Sequence, residues 1–135
     1  MQKAKILKYC KDKDTDNKLR WCVKVDKTTF TLYIPRLRVP KPTPRLISVM
    51  IYLPGDESPA LSQVKYSDAA CSPEQLQSPI VTKVRLNTTP HSETIRYDPI
   101  GDPKNLEIGS PYIPKKLLPE EPPAELTLSV EWLAD

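Results

Sequence analysis

Apolar and polar residues alternate along much of the chain, which is the pattern of half-buried β-strands. Residues 19–25 and 30–34 both show this alternation, and residues 4–9 form another predicted strand. The apolar positions are Leu19, Trp21, Val23 and Val25 in the first stretch and Phe30, Leu32 and Ile34 in the second. Two such stretches so close in sequence are expected to pair as a hairpin. Residues 3–35 are therefore predicted to form a three-stranded meander.

The rest of the chain continues the strand pattern. Residues 46–53 are almost continuously apolar, which is typical of a strand that is covered on both faces. Further strands are predicted at residues 80–87, 94–97 and 126–132. Between them, Ser72 is followed by proline and, three residues on, by Gln75, a combination that starts a short helical turn.

These elements predict one all-β domain over residues 1–135. The expected architecture is a small antiparallel sandwich or barrel of about seven or eight strands. The chain has 16 prolines and only 3 glycines, so its turns should rely on the fixed φ of proline, and long helices are disfavoured. We therefore expect proline-rich connections and at most one short helix.

One phrase occurs twice. Residues 33–44 read YIPRLRVPKPTP and residues 112–123 read YIPKKLLPEEPP. The repetition predicts a strand-arch-strand unit used twice, at residues 30–53 and 109–133, with one extra residue before the second following strand. Convergence of two proline-bridged strand pairs is the alternative.

Each repeat has a predicted course. Proline cannot donate to a sheet ladder, so Pro35 and Pro114 should end strands and be followed by about ten residues of extended polyproline II chain. Tyr33 and Tyr112 should lie at the rim of the sheet, with a buried ring and a solvated hydroxyl.

Charge distinguishes the two arches. Residues 1–50 hold 13 Lys and Arg against 4 Asp and Glu, whereas residues 51–135 hold 7 against 13. The basic arch, residues 36–45, carries Arg36, Arg38, Lys41 and Arg45. The acidic arch, residues 115–125, keeps Lys115 and Lys116 but carries Glu120, Glu121 and Glu125. These seven side chains are the predicted contact residues.

Catalytic chemistry finds little support in the sequence. The single histidine, His91, lies in a turn-like stretch without a partner for acid-base or nucleophilic catalysis. The pairs Asp56-Glu57 and Glu120-Glu121 lie in proline-flanked loops, where carboxylates are usually solvated. Three scattered glycines make no phosphate-binding loop. We expect no enzyme, no catalytic residues and no cofactor.

Three cysteines, Cys10, Cys22 and Cys71, are an odd number, which does not suit a disulfide framework. A zinc site would need all three with His91, but no pair has the short spacing that makes such sites recognisable. Buried or idle thiols are the favoured interpretation, and no metal site is predicted.

Location and membrane contact are predicted from what the sequence lacks. The first 14 residues hold no apolar core of the kind a secretory signal needs. The longest apolar stretch, residues 46–53, is too short for a membrane helix. We expect a soluble cytoplasmic protein without membrane contact.

Protein-protein interaction or assembly is the function that these observations favour. Oppositely charged arches would let a basic surface meet an acidic one on a partner or on another copy of the chain. Contacts between two different surfaces of one chain close into rings or continue as filaments. The alternative is a nucleic-acid-binding β-barrel that uses the basic N-terminal half, with Trp21, Phe30 and Tyr33 as stacking candidates. The alternation places Trp21 and Phe30 with the core residues, which weighs against that alternative.

Overall fold

The computed structural model describes residues 3–91 and 93–133, and these form a closed antiparallel β-barrel. Its strands are β1 (Lys3–Tyr9), β2 (Lys18–Val25), β3 (Thr28–Pro35), β4 (Leu46–Tyr52), β5 (Ile80–Leu86), β6 (Thr94–Pro99), β7 (Tyr112–Pro114) and β8 (Glu125–Leu133). The order around the barrel is β1-β2-β3-β7-β6-β5-β8-β4. The all-β prediction is confirmed, and of the sandwich and the barrel it is the barrel that forms.

One short helix, α1 (Pro73–Leu76), interrupts the strands, as the sequence predicts. The Ser72 hydroxyl accepts a hydrogen bond from the Gln75 backbone N–H at 3.3 Å. In return, the Ser72 backbone N–H donates to the Gln75 side chain at 2.7 Å. This reciprocal pair is a capping box, and Pro73 opens the helix where its missing N–H costs nothing.

The barrel interior is the hydrophobic core. Trp21, Phe30 and Leu32 are fully buried, in agreement with the alternation of β2 and β3. The expectation that β4 is covered on both faces is wrong. Its inward residues are buried, but the outward Ser48 and Met50 remain half-exposed. In a closed barrel one face of a strand points to the interior and the other to the outside, so a continuously apolar segment does not require two covered faces.

The barrel consists of two halves with the same topology. Strands β1, β2 and β3 form a meander, and β4 returns to pair with β1. Strands β5, β6 and β7 form the second meander, and β8 returns to pair with β5. Each half is thus a Greek key with the spatial order 4-1-2-3. The halves join where β4 pairs with β8 and β3 pairs with β7.

Side chains also correspond between the halves. The Trp21 indole in β2 donates to the carbonyl of Pro44 at 3.1 Å, and the Tyr97 hydroxyl in β6 donates to the carbonyl of Pro123 at 2.8 Å. The two prolines occupy the same position in the repeated phrase. Each half therefore ties the end of its arch to a buried aromatic residue of its second strand.

The arches and the strands after them correspond without a gap. Three inward residues of β4 match three inward residues of β8 in this alignment, namely Ile47, Val49 and Ile51 with Leu126, Leu128 and Val130. The prediction of one extra residue before the second following strand is therefore wrong. A shift of one residue would match the inward side chains of one strand with the outward side chains of the other.

The strand directions put the two arches at opposite ends of the barrel. Strands β3 and β7 are antiparallel and each leads into its arch, so the arches leave from opposite rims. Strands β4 and β5 both run antiparallel to β8 and hence in the same direction. The connection between them, residues 53–79, must run the length of the barrel wall, and we call it the strap.

Candidate functional site

Both arches begin with a compact turn instead of an extended chain. Residues Arg36–Arg38 and Lys115–Leu117 form 3-10 turns directly after Pro35 and Pro114, which end β3 and β7 as predicted. The expectation of a polyproline II course for about ten residues is therefore wrong. A 3-10 turn pairs backbone groups internally, whereas a polyproline II segment leaves them all to water.

Arg38 is not part of the exposed surface, contrary to its place among the predicted contact residues. Its side chain is 0% exposed. Nη1 and Nη2 donate to the carbonyls of Leu76 and Ser78 at 2.9 and 3.0 Å. Nε lies 3.6 Å from a carboxylate oxygen of Glu107. Arg38 thus fastens the end of the strap to the barrel and is unavailable to a partner.

Glu107 completes this buried network, and sequence reasoning missed it. It accepts hydrogen bonds from the Ser62 hydroxyl and, at 2.9 Å, from the Val64 backbone N–H. Burial lowers the pKa of Arg38, and the negative charge of Glu107 opposes that effect. The two residues come from loops far apart in the sequence, and no motif links them. Together they clamp the strap at both its middle and its end.

The other basic-arch residues are exposed. Arg36 lies over the loop between β1 and β2, where it donates to the carbonyls of Thr15 and Asp16 at 3.1 and 3.4 Å. Both acceptors are neutral, so the positive charge of Arg36 stays uncompensated by them. Lys41 and Arg45 are also exposed. The basic arch therefore presents cations at one end of the barrel.

At the opposite end, the acidic arch presents carboxylates. Glu120 and Glu121 are exposed, and within the described residues no cation pairs with either. Glu125 is the first residue of β8, and its Oε2 atom lies 4.0 Å from Nη2 of Arg85 on the exposed wall. Lys116 forms an ion pair with Asp26 of the β2–β3 turn. That pairing offsets the charge of Lys116, so the two carboxylates of Glu120 and Glu121 outnumber the remaining cation of the arch, Lys115.

An apolar groove of about 570 Å³ lies beside the basic arch. The 3-10 turn and the chain after it form one wall, and α1 of the strap forms the other. The apolar lining comes chiefly from Leu19, Leu37, Val39, Pro40 and Leu76. Leu37 is 69% exposed and adds its apolar surface to that of the groove. The groove joins an apolar floor to the exposed cations Arg36 and Lys41 on its edge.

The two repeated tyrosines are half-buried at the ends of their strands. The ring of Tyr112 meets His91 edge-on, with 5.4 Å between centroids. His91 is thus placed against an aromatic ring and not beside a cysteine.

Cysteine chemistry differs from the expectation. Cys10 and Cys22 form a disulfide between the end of β1 and the middle of β2, so they are not idle thiols. The zinc alternative needed both as thiolates and is removed by this bond. Cys71 is free and half-buried. Disulfides are typical of oxidising compartments, which counts against the expected cytoplasmic location.

Comparisons with known proteins add no identity. No protein-family model matches the chain, and no curated protein matches it significantly. Within residues 3–91 and 93–133, no cluster of three or more His, Cys, Asp or Glu is arranged to hold a metal ion. In the same part of the chain, no helix has the length and apolarity needed to cross a membrane.

Proposed function

We propose that this protein is a non-catalytic β-barrel that acts through protein-protein assembly, in which the basic arch of one copy meets the acidic arch of the next. The observation that carries the proposal is the opposite charge of two corresponding arches at opposite ends of the barrel. Lys41 lies at one end, and Glu120 and Glu121 lie at the other, all of them exposed.

The position of the arches supports contact between copies. Because the two surfaces differ and lie at opposite ends, an end-to-end contact between them is heterologous and does not close into a two-fold dimer. Each copy instead offers its acidic arch as one end, which we call the donor end, and its basic arch as the other, which we call the acceptor end. Complementary charge also speeds encounter and sets the orientation of the partners.

The position of the aromatic residues weighs against nucleic-acid binding. Two of its three stacking candidates, Trp21 and Phe30, are fully buried in the barrel. Stacking on bases requires exposed aromatic faces. Tyr33 alone is half-exposed.

The test is the molar mass of the protein by light scattering after size exclusion, at about 10 mM and about 1 M salt, where the screening lengths are about 30 Å and about 3 Å. We expect oligomers at low salt and dissociation at high salt. A monomer under both conditions would exclude self-assembly.

Two variants then identify the surfaces. Glu120→Lys with Glu121→Lys makes both ends basic and is called the acceptor variant. Lys41→Glu with Thr43→Glu removes the excess positive charge of the basic arch, because the two new carboxylates offset the exposed Arg36 and Arg45, and is called the donor variant. It keeps Arg36 and its hydrogen bonds to the loop. We expect each variant alone to be monomeric and their equimolar mixture to form a capped heterodimer, because one unchanged pair of arches remains.

The matched control reverses charge on the barrel wall, with Lys24→Glu and Lys83→Glu, both at exposed positions. This variant should assemble as the unaltered protein does. If it is also monomeric, net charge and not the arches governs association, and the proposal is wrong.

A further inference from the structure

The groove lies at the end of the barrel that carries the basic arch. One of its walls is α1, which belongs to the strap between the two Greek keys. The basic end of the barrel therefore has an apolar groove as well as positive charge.

The groove has the chemistry to bind an acidic, proline-containing segment. Its floor is apolar, and Leu37 stands at its lip with 69% of its surface exposed. Arg36 and Lys41 supply positive charge at the edge. A ligand that fits must combine apolar contact with carboxylates.

The acidic arch of the same chain has that composition. Pro119, Glu120 and Glu121 are all exposed, and Pro122 is half-exposed. Proline rings bury apolar area at little cost in side-chain entropy. The main chain of this arch is also held in place, because the Tyr97 hydroxyl binds the carbonyl of Pro123 at 2.8 Å. A rigid segment loses less entropy on binding.

We propose that the groove is the docking site for residues 118–123 of a second copy of this chain. This inference rests on the proposed function and makes it specific: the prolines of the acidic arch contact Leu37 and the groove floor, while Glu120 and Glu121 face Arg36 and Lys41. Apolar contact then contributes affinity that salt does not screen.

The test places one substitution, Leu37→Asp, in either partner of the capped heterodimer. In the acceptor variant the groove takes part in the contact, and Leu37→Asp should weaken the heterodimer about tenfold or more. In the donor variant the groove is at the unused end, so the same substitution should leave the dissociation constant unchanged. Analytical ultracentrifugation of the mixtures gives both constants.

Two controls separate this contact from misfolding and from general loss of apolar surface. Leu37 is exposed, so the variant should keep the circular dichroism spectrum and the unfolding midpoint of its parent. Ile6→Asp in the acceptor variant alters another exposed apolar residue, one that is 56% exposed on the barrel wall, and should not weaken the heterodimer.

The outcomes distinguish the two proposals. A heterodimer that is unaffected by Leu37→Asp in the acceptor leaves assembly through the arches standing and overturns the groove assignment. Equal weakening from either partner also overturns it, because the effect would not depend on the groove in contact. Absence of any heterodimer between the parent variants overturns the proposed function and the groove assignment together.

Discussion

In each arch, one buried side chain of the barrel holds the end of the arch by a hydrogen bond. Tyr97 is the example in the acidic arch. Its ring is fully buried, and its hydroxyl holds the carbonyl of Pro123 at the end of the acidic arch. Trp21 does the same for Pro44 with an indole N–H. The two residues differ in chemistry, but both place a donor at the edge of an apolar core, where an unpaired carbonyl would be costly.

Tyr97 also makes the free energy of unfolding depend on pH in the alkaline range. Burial raises its pKa from 10.0 to about 12. The folded protein therefore favours the neutral phenol, and this stabilisation is complete below pH 10, where the unfolded chain is also neutral. As the pH rises from about 10 to about 12, the unfolded chain loses its proton first and the stabilisation is lost.

We expect Tyr97→Phe to lower the free energy of unfolding by about 1 kcal/mol at pH 7, because the Pro123 carbonyl loses its donor. Between pH 10 and 12 the variant should lose less stability than the unaltered protein, so that the two curves converge or cross. Urea unfolding at a series of pH values measures this. Tyr33→Phe, on a half-buried ring, is the control; parallel pH curves for Tyr97→Phe and the unaltered protein would contradict the interpretation.

At the scale of elements, the strap is the connection between the two Greek keys. It is held against the barrel by a buried ion pair, Arg38 with Glu107, and by the backbone carbonyls of Leu76 and Ser78. The guanidinium also lies 5.9 Å from the centre of the Trp132 ring. In the acidic arch the position of Arg38 is taken by Leu117, which is buried as well. A buried apolar residue is thus enough to fill this position in an arch. In the basic arch the arginine serves to hold the strap.

Arg38→Leu makes the basic arch resemble the acidic arch at this position and tests that role. We expect a loss of roughly 3 to 5 kcal/mol, because Glu107 is left as a buried charge without its partner. The strap should also open locally, so that trypsin cleaves faster after Lys65. Urea unfolding and timed proteolysis under native conditions measure the two effects.

The second variant for this test is Arg38→Leu with Glu107→Gln, which removes the uncompensated charge and should recover part of the stability. Lys41→Leu, at an exposed position of the same arch, should change stability by no more than about 0.5 kcal/mol. Unchanged stability and proteolysis for Arg38→Leu would mean that the strap does not depend on the ion pair.

On the scale of the whole molecule, an almost symmetric barrel carries asymmetric ends. The antiparallel pairing of β3 with β7 and of β4 with β8 puts corresponding arches on opposite rims. Opposite charges at those rims give each copy a direction. The groove and the α1 end of the strap lie at the basic rim, so the direction is set by shape as well as by charge.

Assembly through opposite ends should therefore produce linear particles. We expect the largest dimension from small-angle X-ray scattering to rise by a nearly constant step with each added copy, as protein concentration increases at low salt. The capped heterodimer provides the length of a single step. Compact particles whose largest dimension hardly grows with mass would show that copies meet through other surfaces.

The sequence by itself determined the strands, the buried aromatics, the capped turn of α1 and the charge of the arches. These are local properties: alternation sets which face of a strand is apolar, and capping depends on residues three positions apart. The charged residues that remain exposed, such as Lys41 and Glu120, could likewise be named from composition along the chain.

Tertiary structure alone decided that the sheet closes, that the arches lie at opposite ends, that Arg38 is buried, and that Cys10 bonds to Cys22. Each of these depends on segments distant in sequence that come together in space. The direction and order of strands follow from their pairing, which alternation does not encode. In the sequence, Arg38 is indistinguishable from the exposed basic residues of its arch. Its burial depends on Glu107 and the strap, which only the fold brings to it.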